Sequence, residues 1–148
     1  RGVQMYYKGH DLFGNIMFDD LLPSTQKPIR SIYTDEYNNL WIGTKGDGIM
    51  QIKDYDKLNN KKISQSQFVS YNTKNGLSSN LVFCFLKSKF RNIIWIGTEG
   101  PGLSYYSYKD GRVKTLSGNI GDQIGRVHSI CEINDSTWLF VQRSNSLY

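Results

Sequence analysis

Hydrophobic positions along the chain fall into short runs that are separated by polar, glycine-rich turns. Three of these runs, Ile29–Thr34, Val82–Lys87 and Val127–Glu132, are apolar at both alternating positions and rich in β-branched residues. That pattern predicts strands buried between neighbouring sheets rather than helices. A polar turn follows each run, and a second apolar run that contains a tryptophan follows each turn.

The tryptophan run occurs twice almost unchanged. Leu40–Ile49 (LWIGTKGDGI) returns as Ile94–Leu103 (IWIGTEGPGL), at a period of roughly 50 residues that is typical of repeat architectures. A weaker third copy follows at Thr137–Val141. Alanine is absent, while Tyr, Phe, Asn, Ser and Gly are frequent. The composition and the repeat together predict an all-β fold made of β-propeller blades.

The repeats divide the chain into about three blades. Fourth strands are expected at Phe68–Tyr71 and Val113–Leu116, which gives four antiparallel strands per repeat. A closed propeller has roughly four to eight blades, so we expect an incomplete propeller. The expected divisions are the end of a preceding blade at 1–8, a blade at 9–71 with an early strand at Asn15–Phe18, a blade at 72–116 and an incomplete blade at 117–148.

An incomplete propeller has open blade edges, which invite pairing with other strands. We therefore expect either a fragment of a longer protein, which supplies the remaining blades, or a homo-oligomer that completes a ring. The chain has no initiator methionine, which favours a processed or excised piece.

The net charge of +5 is spread thinly along the chain. The densest cluster, Lys57 with Lys61 and Lys62, lies in an asparagine-rich stretch and is interpreted as a solvated loop. Nucleic-acid binding is not expected, because it needs a basic stripe with stacking aromatics. An acidic ligand such as a charged polysaccharide stays open. No run of about 18 apolar residues predicts a membrane span.

The two cysteines, Cys84 and Cys131, sit in apolar runs without the spacing of a zinc site. We expect buried free thiols and leave a disulfide open. No metal site and no cofactor are predicted.

The strand motifs carry a family resemblance. The pattern V-x-S-I-x-x-D, N-x-L-W-I-G-T and G-x-G-[IL], with N-G-L-S-S-N between blades, resembles the two-component regulator propeller repeat. Ile29–Ile49 and Leu77–Leu103 match it closely, and Val127–Tyr148 matches weakly. The resemblance implies the periplasmic sensor region of hybrid two-component histidine kinases of Bacteroides-like gut bacteria. Such sensors recognise oligosaccharides and switch on genes for polysaccharide utilisation.

The resemblance therefore implies a non-enzymatic sensor segment that signals to a histidine kinase and response regulator elsewhere in the protein. One alternative is a structural or protein-interaction propeller without a small ligand. A propeller polysaccharide lyase or glycosidase ranks last. Glycosidases need two carboxyls across a cleft, and the pairs Asp19–Asp20 and Asp54–Asp56 lie in loops with no supporting pattern.

The tryptophans recur at the same position of the repeats, and a role that recurs in each blade is most simply packing between blades. We assign the glycines of the tryptophan motif to turns with positive φ rather than to a phosphate-binding loop. The positions given a structural role are Trp41, Gly43, Gly48, Trp95, Gly97, Gly102 and Trp138, with further turn glycines at Gly46 and Gly100.

Candidate ligand contacts come from two places. His128 falls in the column of Arg30 and Phe83 on the first strands, which are innermost in a propeller. Because strands alternate in direction, the turns between second and third strands share one rim with the links between blades, and such loops commonly carry recognition. The candidates are Arg30, Lys45, Asp47, Lys74, Asn75, Glu99 and His128.

Overall fold

The structure is a computed structural model that describes residues 3–6, 13–16, 27–55, 65–116, 118 and 123–142. Its regular structure is almost entirely β, with short 3-10 helices at Gln65–Gln67 and Thr73–Asn75. The strands are β1 Val3–Tyr6, β2 Phe13–Ile16, β3 Ile29–Thr34, β4 Leu40–Thr44, β5 Ile49–Ile52, β6 Phe68–Tyr71, β7 Val82–Lys87, β8 Ile93–Thr98, β9 Ser104–Ser107, β10 Arg112–Thr115, β11 Val127–Asn134 and β12 Thr137–Gln142.

Two four-stranded antiparallel sheets form the centre of the described chain. The first blade has the order β3-β4-β5-β6, and the second blade has the equivalent strands in the order β10-β9-β8-β7. In each sheet, strands that follow one another along the chain pair side by side. The prediction of an all-β fold with four-stranded antiparallel blades is confirmed.

Two further pairs of strands flank these blades in the sequence. β11 pairs with β12 as the first hairpin of the third blade. β1 pairs with β2, with Val3 opposite Ile16. The early strand therefore spans Phe13–Ile16 and pairs with β1, so the sheet of the first blade starts at Ile29. The end of the expected strand, residues 17–18, lies outside the described residues.

The first strand of each blade lies next to its counterparts, because β7 contacts both β3 and β11. Their burial differs from the expectation. Val82 on β7 and Val127 on β11 are fully buried, whereas Ile32 on β3 is 52% exposed. β7 packs between β3 and β11, whereas β3 packs chiefly against β7 among the described first strands, so the expectation of burial on both faces was wrong for β3. It was also wrong for β11, where Ser129 and Cys131 are exposed.

Tryptophans occupy the interfaces between blades. Trp41 is fully buried and packs with Ile49 and Tyr71 of its own blade against residues of the second blade. Its ring centroid lies 4.7 Å from that of Tyr106 on β9. Trp95 is buried in the same way, at the interface with the third blade. The second-blade side of the first interface consists of Val82, Ile94, Ile96, Tyr106 and Val113.

The third repeat has a different register. Trp41 lies opposite Tyr33, and Trp95 lies opposite Leu86. The residue opposite Cys131, which is equivalent to Tyr33 and Leu86, is Leu139. The sequence alignment placed Trp138 in the tryptophan column, and by register it lies one residue away from it. All three hairpins have a bulge after their first residue pair, and the third has a second bulge between Glu132 and Asn134 that accounts for the difficulty of aligning it.

The glycine of the Trp-Ile-Gly-Thr motif is explained by close packing. Gly43 and Gly97 do not have positive φ, so the assignment of their role to turn geometry was wrong, as it was for Gly100. A β-carbon on Gly43 would overlap Oγ of Ser31 on the neighbouring strand and lie 2.7 Å from Cγ1 of Val82 in the next blade. One on Gly97 would lie 2.5 Å from the carbonyl oxygen of Val127. The first strand of the next blade therefore approaches this glycine directly. Gly46, Gly48 and Gly102 do have positive φ.

Candidate functional site

The link between the first two blades is fixed to the turn between β4 and β5. The amides of Gly46 and Gly48 both donate to the carbonyl of Asn80 at 3.0 Å. The side-chain oxygen of Asn80 accepts from the amide of Thr73 at 2.9 Å. A single asparagine in the link thus joins the turn of the first blade to the 3-10 helix that begins the link.

The second blade repeats this arrangement. The amide of Glu99, in the turn after β8, donates to the carbonyl of Leu81 at 3.0 Å, and the amide of Gly102 donates to Ile124 in the next link. The two turns and the links therefore share one edge of the blades, as the alternation of strand directions predicts. We call this edge, formed by residues 44–48, 72–81, 98–102 and 123–126, the link edge.

The link edge carries five of the candidate residues. Lys45 and Lys74 are exposed. Oδ2 of Asp47 is buried and has no hydrogen-bond partner within the described chain. Oε1 of Glu99 lies 3.7 Å from Nε of Arg126, which sequence reasoning did not single out.

Asn75 has a structural role at the same edge. Its side-chain oxygen accepts from the amide of Asn72 at 2.5 Å, and its side-chain nitrogen donates to the carbonyl of Ser70 at 3.0 Å. These bonds close the cap of the 3-10 helix Thr73–Asn75. The Asn75 side chain is therefore already engaged, which makes it the weakest of the ligand candidates.

Arg30, Phe83 and His128 form a column across the three first strands. The guanidinium carbon of Arg30 lies 5.2 Å from the centroid of the Phe83 ring. The rings of Phe83 and His128 stack with centroids 4.0 Å apart and planes inclined by 23°. Because β7 lies between β3 and β11, Phe83 stands between the two nitrogen-rich side chains. We call these three residues the inner column.

The polar atoms of the inner column are only partly engaged by other residues. Arg30 is exposed and forms no ion pair with an acid of the described chain. Nε2 of His128 is buried without a hydrogen-bond partner among the described residues. The cation–π contact with Phe83 holds the Arg30 side chain in place while its N–H donors stay available to a ligand. Nε2 of His128, by contrast, is shielded from solvent.

A buried carboxylate, Asp35, was missed as a key residue. Its oxygens accept from Nε1 of Trp41 at 2.8 Å and from the side chain of Asn39 at 2.9 Å. The hydroxyl of Tyr108, in the second blade, also donates to it at 2.9 Å. Burial alone would raise the pKa of Asp35, but these hydrogen bonds outweigh burial and hold its pKa below the usual value. The D of the repeat motif is the sequence signal that marks this residue.

The second tryptophan receives its carboxylate from the next blade. At the position of Asp35 the second blade has Ser88, and Glu132 of β11 replaces the missing acid. Its Oε1 accepts from Nε1 of Trp95 at 2.6 Å and from the hydroxyl of Ser88 at 2.7 Å. Its Oε2 accepts from the amide of Lys89 at 2.7 Å. No sequence motif marks Glu132 for this role, because the contact joins two blades.

The edge opposite the link edge carries an aromatic pair. Tyr37 is 51% exposed, and its ring centroid lies 4.8 Å from that of Tyr108. The ammonium of Lys87 lies 5.1 Å from the Tyr108 centroid and 3.4 Å from Oε1 of Glu36. The positive charge of Lys87 is thus balanced by the carboxylate of Glu36. Burial and the hydrogen bond to Asp35 raise the pKa of Tyr108, so it remains a neutral phenol.

Several sequence interpretations concern other kinds of site. Both cysteines are free, so the open question of a disulfide is resolved. Cys84 is partly buried, and burial raises the pKa of its thiol; Cys131 is exposed, contrary to the expectation. Among the described residues no group of three or more His, Cys, Asp or Glu side chains could hold a metal ion. Asp19, Asp20, Asp56, Lys57, Lys61 and Lys62 lie outside the described residues.

Within the part of the chain that the structure describes, no helix has the length and apolar character needed to cross a membrane.

Comparison with known proteins identifies the repeat. The model of the two-component regulator propeller matches residues 23–46, which include β3, the turn after it and β4. No curated protein matches the sequence significantly.

Two solved structures from B. thetaiotaomicron share the fold. The extracellular domain of a protein described as a hybrid two component system matches with a TM-score of 0.63 and 17% identity, covering 88% of this chain and 18% of that one. The extracellular domain of a protein described as a one component system matches with a TM-score of 0.57 and 22% identity, covering 88% of this chain and 16% of that one. The chain thus spans less than a fifth of the length of either. It carries a two-component regulator propeller repeat, and its sheets are blades of the propeller type found in these extracellular domains.

Proposed function

We propose that this chain is a segment of the extracytoplasmic sensor domain of a hybrid two-component histidine kinase and response regulator. The observation that carries the proposal is the propeller repeat at residues 23–46, together with the fold shared with extracellular domains of two-component systems. In a Gram-negative bacterium such a segment lies in the periplasm. The remaining blades and the kinase domains belong to the full-length protein.

The ligand of the sensor is an oligosaccharide, and its recognition controls genes for polysaccharide utilisation. The inner column and the link edge support this proposal. Loops on a rigid β scaffold are common recognition surfaces, and the link-edge turns are tied to the links by backbone hydrogen bonds. Ligand binding then favours one arrangement of the sensor over another and so changes the activity of the kinase.

Calorimetric titration with a panel of defined oligosaccharides tests the proposal. We expect saturable binding of at least one sugar, reduced by Arg30→Gln and unchanged by Lys53→Gln. Lys53 is an exposed residue directly after β5, away from the link edge. If no sugar in a broad panel binds, the alternative of a structural or protein-interaction propeller replaces this proposal.

The segment acts in binding rather than in catalysis. The two carboxylates that are buried within the described ranges, Asp35 and Glu132, accept hydrogen bonds from tryptophan indoles and from other side chains. Neither is therefore free to serve as the acid or nucleophile of a glycosidase. Incubation of the protein with each sugar that binds should leave that sugar intact by chromatography. Cleavage products would favour the propeller lyase or glycosidase instead.

The open blade edges are expected to pair with further blades, supplied by the same polypeptide or by a second copy of the chain. Light scattering after size exclusion distinguishes the two sources. A discrete dimer or larger oligomer supports pairing between copies, and a monomer supports pairing within a longer polypeptide.

A further inference from the structure

The two edges of the blades differ in how their charges are balanced. At the edge opposite the links, two of the described lysines form ion pairs: Lys87 with Glu36 at 3.4 Å, and Lys114 with Asp110. The cationic and acidic side chains described at that edge are nearly equal in number. At the link edge the cations outnumber the acids. Among the described residues, five cationic side chains lie at or beside it, namely Lys27, Arg30, Lys45, Lys74 and Arg126, against the two carboxylates of Asp47 and Glu99.

Backbone contacts bring these cations to the start of the first strands. The amide of Lys45 donates to the carbonyl of Pro28 at 2.9 Å, which places Lys45 beside the residues that lead into Arg30. The side chain of Lys27 lies next to Gly46 in the same turn. Arg126 stands two residues before His128 at the start of β11. Lys27, Lys45 and Arg126 are therefore placed close to the ends of the strands that carry Arg30 and His128.

The ion pair at this edge is weak enough to open. Arg126 and Glu99 are 3.7 Å apart, with side chains 36% and 34% exposed. Exposed pairs of this kind contribute little, because water and salt screen them. An incoming anion can therefore replace Glu99 as the partner of Arg126 at small cost. Arg30 needs no such exchange, since it has no acidic partner in the described chain.

We propose that the link edge and the inner column select oligosaccharides that carry carboxylate or sulfate groups. Arg30 is the direct contact with the anionic group, because a guanidinium presents a planar fork of donors that matches carboxylate and sulfate oxygens. Phe83 fixes the position of that guanidinium. Lys45 and Arg126 supply the surrounding positive field, which attracts an anionic ligand. This inference rests on the proposed function as an oligosaccharide sensor.

Calorimetric titration with three tetrasaccharides of equal length tests the inference: a polyuronate, a sulfated sugar and a neutral sugar. We expect an acidic tetrasaccharide to bind at least tenfold more tightly than the neutral one at low salt. Raising the salt concentration should weaken that binding, because screening reduces the attraction between exposed charges. Comparing the affinities for the polyuronate and the sulfated tetrasaccharide shows whether the carboxylate or the sulfate group is preferred.

Variants assign the effect to the site. Arg30→Gln should weaken binding of the acidic sugar about tenfold, and Arg126→Gln should weaken it about threefold. Lys53→Gln removes one positive charge away from the link edge and should leave the affinity unchanged. Equal unfolding midpoints of all variants show that the fold is intact.

The remaining outcomes separate this inference from the proposed function. Binding of the neutral tetrasaccharide as tightly as the acidic ones would overturn the selection of anionic sugars and leave the sensor proposal standing. Equal weakening by Lys53→Gln and Arg30→Gln would overturn the assignment to this edge. If none of the three sugars, nor any sugar of the broad panel, binds, both proposals fail.

Discussion

At the scale of single residues, a buried carboxylate accepts the indole N–H of each tryptophan in the two blade interfaces. Asp35 accepts the hydrogen bond of Trp41 within the same blade, and Glu132 accepts that of Trp95 from the next blade. Hydrogen bonds to a charged group contribute about 1.5–3 kcal/mol, and leaving a buried partner unsatisfied costs a similar amount. The tryptophans are therefore fixed by polar contacts as well as by packing.

Asp35→Asn should lower the free energy of unfolding at neutral pH by about 1.5–3 kcal/mol, as measured by urea denaturation. The substitution keeps the shape of the side chain but removes the charge that accepts from Trp41 and Tyr108. Asp135→Asn, at an exposed acid in the turn after β11, is the control and should change stability by less than about 0.5 kcal/mol. Equal effects of the two variants would contradict the role of Asp35.

The difference in unfolding free energy between wild type and Asp35→Asn should depend on pH. The pKa of Asp35 in the folded protein lies below its ordinary value of 3.8, so its contribution is complete above that value. It is lost as the pH falls from there through the folded pKa, because the protonated acid no longer accepts these bonds as an anion. The difference in unfolding free energy between wild type and Asp35→Asn should therefore shrink below about pH 4. If this difference in unfolding free energy stays constant or grows as the pH falls, the stabilising role of the ionised Asp35 carboxylate is wrong.

At the scale of the elements, most strands could be predicted from their own sequences. β3, β6 and β7 have the expected bounds, because each is a β-rich apolar run bounded by polar turns. The shared link edge was also predictable, since it follows from the alternating direction of strands. The register of β11 and β12 was not, because the bulge between Glu132 and Asn134 shifts the pairing without leaving a mark in the residue pattern.

The role of the motif glycines also required the structure. Close approach between strands of adjacent blades is a tertiary contact, so the sequence could identify a glycine that recurs but not the reason for it. The same limit applies to the site. The column of Arg30, Phe83 and His128 follows from aligning the repeats, whereas Arg126 and Glu132 are placed by contacts between distant segments.

Gly43→Ala should destabilise the protein by about 1–3 kcal/mol through overpacking. The overlapping atoms belong to the side chains of Val82 and Ser31. Val82→Ala should therefore recover part of the loss, and the double variant should be more stable than the sum of single effects by at least about 0.5 kcal/mol. Urea denaturation of the four proteins measures this difference.

Gly97→Ala is the matched comparison, because its closest overlap is with the backbone carbonyl of Val127 at 2.5 Å. Val127→Ala leaves that carbonyl in place, so this pair should show much less recovery. If Val127→Ala rescues Gly97→Ala as fully as Val82→Ala rescues Gly43→Ala, the packing explanation is wrong.

At the scale of the whole molecule, neighbouring blades are joined by side chains that cross the interface. Tyr108 reaches back to Asp35 in the preceding blade, and Glu132 reaches back to Trp95 and Ser88. Each described blade interface thus combines a hydrophobic cluster with a hydrogen-bonded carboxylate at the edge opposite the links. These contacts fix neighbouring blades to one another at the edge opposite the links.

A double-mutant cycle between Trp95→Phe and Glu132→Gln should show this connection as a coupling energy of about 0.5–3 kcal/mol. The two side chains share a 2.6 Å hydrogen bond across the interface, so removing either partner removes the same interaction. The control cycle pairs Glu132→Gln with Trp41→Phe, since the Trp41 indole donates to Asp35 instead. In the control cycle the two changes in unfolding free energy should add without coupling. Coupling energies of equal size in both cycles would mean that the substitutions disturb the fold as a whole rather than this hydrogen bond.

The link edge and the inner column together form the proposed ligand site of these blades. The most direct test is a two-dimensional NMR titration of the isotope-labelled protein with the sugar that binds most tightly in calorimetry. A ligand bound at this site should cause the largest shift changes on residues 44–48, 72–81 and 98–102 and on the side chains of Arg30 and His128. Shift changes concentrated around Tyr37 and Tyr108 at the opposite edge, or spread evenly over the molecule, would contradict it.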